Sequence, residues 1–136
     1  MQSILIRQAR VLSPADGIDQ VMNVFVENGK IQELDSSRTQ ADIVLDASGL
    51  VLAPGFVDMH VHLRDPGFTQ KEDILTGCEA AARGGFTAVV CMPNTNPPID
   101  TVETIAYVLE KAKQAKARVY PVAAITKGQK GGELCN

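Results

Sequence analysis

Two histidines separated by one residue stand in a run where polar and apolar residues alternate, Asp58-Met59-His60-Val61-His62-Leu63-Arg64. Successive side chains on a β-strand point to opposite faces, so this run predicts one polar and one apolar face. The polar face is expected to hold Asp58, His60, His62 and Arg64. The apolar face, packed under helices, is expected to hold Val57, Met59, Val61 and Leu63. Polar groups in a row on a buried strand need partners, because burying them unpaired is costly.

The two imidazoles are candidate metal ligands. Two residues apart on one strand, they lie close enough to bind one ion, and zinc is a usual partner of histidine. His60 and His62 are the only two histidines of the chain, and they fall near the C-terminal end of the strand, where α/β proteins place their sites. An HxH pair is also common by chance. The arginine and aspartate predicted on the same face favour the metal-binding interpretation.

Two further residues are candidates for substrate binding. The guanidinium of Arg64 matches a carboxylate bidentately, although a solvated charge at a strand end is the alternative. Asn94 lies in the run Met92-Pro93-Asn94-Thr95-Asn96-Pro97-Pro98, directly after the next predicted strand. It could reach a ligand held by Arg64, but composition alone favours a simple turn. A turn also explains Asp65 before its proline, and a solvated helix face explains Lys111, Lys113, Lys116 and Arg118.

The elements that must position these residues follow a βαβαβ order from residue 54 onward, which calls for parallel strands. Strands are predicted over residues 56–63, 86–92 and 119–125. A helix from Ile74 is stopped by Gly84-Gly85, and Thr69 to Glu72 has the spacing of a capping box. A second helix is predicted with Asp100 as its cap. Its apolar stripe comprises Val102, Ile105, Ala106, Leu109 and Ala112.

The first 53 residues show a different pattern, that of short strands. Asn28-Gly29 between two apolar runs predicts a β-hairpin with a type I′ turn. A second strand pair is predicted at residues 43–45 and 50–52, with residues 46–49 turning between them. We therefore expect two domains: residues 1–53 as part of a small β-sandwich, and residues 54–136 as an α/β unit.

Composition excludes several classes of protein. The chain has 136 residues, 45% of them hydrophobic and 21% charged, with a net charge of −3, which is typical of a globular protein and gives no footprint for nucleic acid or an anionic membrane. No apolar run approaches the roughly 20 residues of a membrane span. Three scattered cysteines and no signal-peptide pattern lead us to expect a cytoplasmic protein. We expect Cys78 and Cys91 to be buried.

At Pro54-Gly55-Phe56-Val57-Asp58-Met59-His60-Val61-His62-Leu63-Arg64-Asp65-Pro66-Gly67 and at the Met92 to Pro98 run, the sequence resembles the class I bacterial dihydroorotases of the amidohydrolase superfamily. The resemblance implies an α/β fold, a metal-dependent (β/α)8 barrel of the TIM type preceded by strands of a small β-sandwich. It implies that His60 and His62 bind one or two zinc ions, with His62, Arg64 and Asn94 contacting the substrate. The implied reaction interconverts N-carbamoyl-L-aspartate and dihydroorotate plus water, in pyrimidine synthesis.

The resemblance also sets expectations about assembly. A whole barrel takes about 250 residues, so we expect the chain to be an N-terminal portion that is inactive alone. The general acid/base, an aspartate late in the family's barrel, is expected beyond it. We expect the protein to form a homo-oligomer and to bind aspartate transcarbamoylase. The alternatives are a hydantoinase or allantoinase, and a non-catalytic dihydroorotase-like subunit that scaffolds the transcarbamoylase.

Overall fold

The computed structural model describes residues 2–135, and the chain divides into two compact units, one ending at Pro54 and the other beginning at Gly55. The strands of the first unit are β1 (Ser3–Ser13), β2 (Ile18–Glu27), β3 (Lys30–Leu34), β4 (Ile43–Asp46) and β5 (Val51–Leu52). The second unit contains β6 (Phe56–Val61), α1 (Ile74–Arg83), β7 (Phe86–Cys91), α2 (Val102–Ala112) and β8 (Arg118–Pro121). No helix in the described part of the chain is long and apolar enough to cross a membrane.

The predicted hairpin is confirmed at β2 and β3. Glu27 pairs with Lys30 across the turn, and Asn28 and Gly29 both have positive φ, +54° and +72°. Positive φ at both central positions defines the type I′ turn, whose twist matches that of the strands it joins. β1 pairs antiparallel with β2, so this hairpin extends the sheet away from β1.

The second predicted strand pair is wrong. β4 and β5 do not pair with each other; each runs parallel to β1, with β4 beside Ile4 to Arg7 and β5 beside Arg10 and Val11. The turn between them explains the arrangement, because Ala47 N–H donates to Arg7 O (2.8 Å) and Arg10 N–H donates to Leu50 O (3.0 Å). The chain therefore steps along β1 instead of reversing. All five strands belong to one sheet of mixed direction.

The second unit confirms the parallel βαβαβ prediction. β7 lies between β6 and β8 and pairs parallel with both. The core of this unit lies between the sheet and its two helices, and is formed by Leu63, Ile74, Cys78, Val89, Cys91, Ile99, Val108, Ala117 and Val119. Both predicted buried cysteines are there, and burial raises the pKa of the Cys91 thiol to about 11.

The apolar stripe predicted for α2 is wrong in part. Val108 is fully buried, whereas Val102 is 72% exposed and Leu109 46% exposed. Ile105 and Ala112 do pack against the core, so the buried face runs through Ile105, Val108 and Ala112. The difference amounts to a small rotation of the helix about its axis, which the 3.6-residue period alone does not fix because neighbouring stripes of this helix are also apolar.

Both helix caps lie nearer the helices than predicted. Asp73, not Thr69, caps α1: its carboxylate accepts from the N–H of Leu75 (2.7 Å) and of Thr76 (3.0 Å). The hydrogen bond from Thr76 N–H is the main reason that the pKa of Asp73 is lowered. Thr101, not Asp100, caps α2 through the N–H of Thr104. Each cap forms a capping box with a threonine three residues later, where the usual motif has Glu or Gln.

Candidate active site

A β-bulge in β6 decides which side chains face the same way. Asp58 pairs with Val89, but the next pair joins Val61 to Cys91. Between these two pairs β6 advances by three residues and β7 by two. Paired residues of parallel strands point to one side, and Val89 and Cys91 both belong to the helix-covered core. Asp58 and Val61 therefore face the helices, and His60 faces the opposite way.

The bulge corrects the predicted faces of β6. Asp58 does not share a face with the histidines; its carboxylate accepts the backbone N–H of His60 at 3.0 Å. Val57 and Met59, predicted under the helices, are 56% and 75% exposed. The prediction assumed strict alternation along the strand, and one extra residue inverts every assignment before it. After the bulge, Val61 and Leu63 pack on the core as expected.

The structure brings His60, His62 and Asn94 together. β6 ends at Val61, so His62 opens the loop that follows. The rings of His60 and His62 lie edge to face, with centroids 5.2 Å apart. His62 Nδ1 donates to Asn94 Oδ1 at 2.7 Å. An amide oxygen only accepts, so in this contact the Nδ1 of a neutral His62 ring carries the proton and its Nε2 has a free lone pair.

A free lone pair on Nε2 is what a metal ion requires from a histidine, and a partner on the other ring nitrogen is typical of metal-binding histidines. The two adjacent rings therefore fit a zinc ion as a pair of nitrogen ligands. Within residues 2–135, no group of three or more His, Cys, Asp or Glu side chains could hold an ion. Two imidazoles are fewer than the three protein ligands that a catalytic zinc usually has.

Two loops carry the remaining candidates and touch each other. The Arg64 loop (residues 62–68) follows β6, and the Asn94 loop (residues 92–98) follows β7. Asn96 N–H donates to Pro66 O at 3.0 Å. Gly67 has φ +89° and packs so closely that a Cβ there would lie 1.9 Å from the carbonyl oxygen of Asn96. Only glycine fits this contact, so the spacing between the loops is set at the backbone.

Arg64 itself is half-buried and has a left-handed backbone, with φ +62°. This conformation is uncommon outside glycine and costs about 1 kcal/mol or more. The carbonyl of Arg64 accepts the N–H of Phe68 at 2.9 Å, which closes the loop on itself. Strand alternation does not apply to a residue in such a loop, so the face of Arg64 is set by the loop.

The buried charge next to Arg64 was not predicted from the sequence. The Asp65 side chain is fully buried and pairs with Lys111 Nζ, and Tyr107 Oη donates to Asp65 Oδ1 at 3.0 Å. The hydrogen bond to Asp65 raises the pKa of Lys111. Burial, and then the same carboxylate, raises the pKa of Tyr107. Asp65 is therefore more than a turn residue, and Lys111 is not part of a solvated face.

A sequence signal for this cluster existed in the spacing of α2. Tyr107 and Lys111 are four residues apart and flank the buried Val108, so they lie on one side of the helix. The interpretation of a solvated face holds for two other lysines: Lys113 pairs with Glu110 and Lys116 with Glu79, with both lysines largely exposed.

Comparison with known proteins agrees with these features. The sequence model described as dihydro-orotase-like matches residues 49–136, which include both loops. The chain belongs to the dihydro-orotase-like family. This confirms the resemblance drawn from the histidine and asparagine motifs. Among its dihydro-orotase-like relatives, the dihydroorotase of Syntrophotalea carbinolica is 54% identical over 96% of this chain, and that of Aquifex aeolicus is 45% identical over all of it.

The chain spans about a third of the length of the curated relatives it matches, 31% and 33% for these two dihydroorotases. Solved structures agree with the fold of a dihydro-orotase-like chain. The L-hydantoinase (dihydropyrimidinase) from Arthrobacter aurescens superposes with a TM-score of 0.76 at 30% identity, covering 93% of this chain and 28% of that one. A D-hydantoinase superposes with a TM-score of 0.75 at 26% identity, covering 91% and 27%.

Proposed function

We propose that this chain forms the N-terminal part of a zinc-dependent dihydroorotase, which interconverts N-carbamoyl-L-aspartate and dihydroorotate plus water. The observation that carries the proposal is the His60, His62 and Asn94 cluster within a segment that the dihydro-orotase-like family matches. The 45–54% identity to curated dihydroorotases over 96–100% of the chain supports the reaction class.

In this proposal His60 and His62 hold zinc. Zinc lowers the pKa of a bound water to about 7 and polarises a carbonyl, and both effects suit hydrolysis of a cyclic amide. Asn94 keeps the His62 ring oriented through the bond to Nδ1. The backbone N–H of His60, bonded to Asp58, ties the first histidine to the bulge of β6. The two rings are thereby held by different elements.

Arg64 and Asn94 are proposed to bind the carboxylate of the substrate. Asn94 uses its amide oxygen on His62, which leaves the two N–H groups of the amide for an anionic ligand. Arg64 comes from the neighbouring loop, and the close contact of Gly67 with Asn96 keeps the two loops together. A guanidinium and an amide N–H aimed at one carboxylate would convert binding into orientation of the ring. His62, which is hydrogen-bonded to Asn94, would contact the substrate as well.

The wider architecture is also a proposal. Residues 1–53 would belong to a β-sandwich, and residues 54–136 would supply the first βαβαβ part of a (β/α)8 barrel. The parallel order of β6, β7 and β8 supports this, as does the superposition on hydantoinases. A cytoplasmic location, a homo-oligomer and assembly with aspartate transcarbamoylase complete the proposal, and these rest on the family resemblance alone.

A hydantoinase is the second candidate, because the solved structures that superpose are hydantoinases. The two functions differ in what the substrate carries. A hydantoin ring has no carboxylate of the kind that dihydroorotate presents, so Arg64 and Asn94 favour the dihydroorotase. Purified full-length protein should therefore hydrolyse dihydroorotate far faster than hydantoin or dihydrouracil. Preference for hydantoin would reverse the assignment.

The roles of the residues are tested with variants of the full-length protein that carries this chain. His60→Ala and His62→Ala should lose zinc and turnover, whereas Arg64→Met should keep zinc and lose about 2–5 kcal/mol in kcat/KM, the effect of removing one partner of a buried charge pair. Arg83→Met is the matched control, because Arg83 is 80% exposed and pairs with Glu79 on its own helix. Unchanged zinc in both histidine variants, or normal kinetics in Arg64→Met, would contradict these roles.

A further inference from the structure

The buried Asp65 cluster is the feature of the second unit that metal and substrate binding leave unexplained. Asp65 is the one carboxylate among the buried residues of the described chain, 2% exposed. Both of its oxygens are occupied, one by Tyr107 Oη and the other by Lys111 Nζ. Both partners come from α2, more than forty residues later in the sequence. The cluster thus fastens the loop after β6 to a helix that follows β7.

Stability alone is a weak reason for such a cluster. The Asp65 carboxylate is removed from water, although the Lys111 side chain stays 27% exposed. Replacing a buried ion pair with apolar side chains of similar volume is often neutral or stabilising. What an ion pair adds is a defined geometry. Two directed donors hold a carboxylate in one orientation, whereas contacts between apolar side chains are non-directional. The cluster is better explained by a group that needs exact placement.

The residue next to the cluster is Arg64. One peptide bond separates it from Asp65, and its left-handed backbone, φ +62°, persists only where neighbours hold it. The hydrogen bond from Phe68 N–H fixes the Arg64 carbonyl, and the buried Asp65 side chain fixes the residue that follows it. His60 is different, because it lies in the bulge of β6, between Asp58 and Val61, which both pair with β7, and its N–H donates to the Asp58 carboxylate.

We propose that Asp65 is a positioning residue, and that Tyr107 and Lys111 of α2 set through it the placement of the Arg64 guanidinium for a substrate carboxylate. The inference rests on the proposed function of Arg64. It predicts that loosening the cluster weakens substrate binding while the zinc-binding histidines stay in place. Misplacement of a positioning group by about 1 Å can cost up to 10²-fold in rate.

The experiment uses full-length protein with Lys111→Met, which removes the charge and keeps the chain length, and Tyr107→Phe, which removes one hydroxyl. Each is expected to raise KM for dihydroorotate about 10-fold, with a smaller change in kcat and with zinc content unchanged. Lys111→Arg restores a donor to Asp65 and is expected to bring KM back toward the wild-type value. Lys113→Met is the matched control, because Lys113 pairs with Glu110 on the surface, and it should leave KM unchanged.

A double-mutant cycle separates positioning from general destabilisation. If Tyr107 acts through Arg64, then Tyr107→Phe adds little to KM in an Arg64→Lys background. Wild-type KM in both Lys111→Met and Tyr107→Phe, or a loss of zinc equal to the loss of activity, overturns the inference. So does full additivity in the cycle. A wild-type protein that does not turn over dihydroorotate would instead refute the proposed function. Tyr107→Phe keeps the ring, so it decides the matter even if Lys111→Met does not fold.

Discussion

Replacing Gly67 with alanine tests whether the backbone contact between the two loops matters as much as the structure implies. Two costs arise. A left-handed φ of +89° costs a non-glycine residue about 1–2 kcal/mol. The new Cβ would also lie 1.9 Å from the carbonyl oxygen of Asn96, so the loops must separate, at about 1–3 kcal/mol for overpacking. The hydrogen bond from Asn96 to Pro66 is then lost, at about 1 kcal/mol. We expect a total of about 3–6 kcal/mol.

Gly85 provides the matched control for this substitution. It lies in the same unit with φ +84°, but its added Cβ would meet only the Phe56 ring at 3.5 Å, an ordinary contact. Gly85→Ala should therefore cost only the backbone term, about 1–2 kcal/mol. The difference between the two variants isolates the contact between the loops. Equilibrium unfolding in urea measures both free energies, compared at the same denaturant slope.

A binding measurement completes the test of Gly67. Separated loops should no longer present Arg64 and Asn94 to one carboxylate, so KM for dihydroorotate should rise in Gly67→Ala and stay near the wild-type value in Gly85→Ala. Equal destabilisation by the two substitutions would refute the steric reasoning. A large loss of stability in Gly67→Ala with an unchanged KM would refute the link between loop spacing and substrate binding.

The remaining predictions concern the core. Val108→Ala in α2 should lower the free energy of unfolding by about 2 kcal/mol, because it removes two buried methyl groups and leaves a cavity. Val102→Ala, at a 72% exposed position, should change this free energy by less than about 0.5 kcal/mol. Equal effects of the two substitutions would contradict the orientation of the helix. Cys91 should resist iodoacetamide at pH 8 in the folded protein while the half-buried Cys135 reacts, as mass spectrometry would show. Burial raises the Cys91 pKa from 9.0 to about 11, so the unfolded state loses this proton at a lower pH than the folded state does. The free energy of unfolding should therefore fall as pH rises from about 9 to about 11. Cys91→Ala should lack this part of the fall, and the same pH dependence in wild type and variant would contradict the prediction.

Much of the local structure followed from the sequence because it depends on neighbours in the chain. Asn28-Gly29 specifies its turn through the conformations the two residues tolerate. The extent of α1, ended by Gly84-Gly85, followed from apolar spacing and glycine. The parallel order of β6, β7 and β8 followed from the alternation of strands with helices.

The errors share a cause, which is dependence on partners remote in sequence. The bulge that turns Asp58 toward the helices exists only in the register between β6 and β7. The separate pairing of β4 and β5 with β1 depends on backbone bonds to Arg7 and Arg10. The spacing of α2 places Lys111 on the same side as Tyr107, but Asp65 becomes their partner only when α2 packs against the loop after β6. No periodicity within one segment contains these facts, since each is decided by tertiary packing.

The backbone link between the Arg64 loop and the Asn94 loop has an evolutionary consequence. Asn96 N–H and Pro66 O belong to the main chain, and nearly every amino acid supplies the same groups. Side chains at positions 64 and 94 can therefore be exchanged during divergence without altering how far apart the loops stand, provided that position 67 remains glycine. Point substitutions can then change which ligand groups the two loops contact, while the backbone that sets their spacing is inherited unchanged.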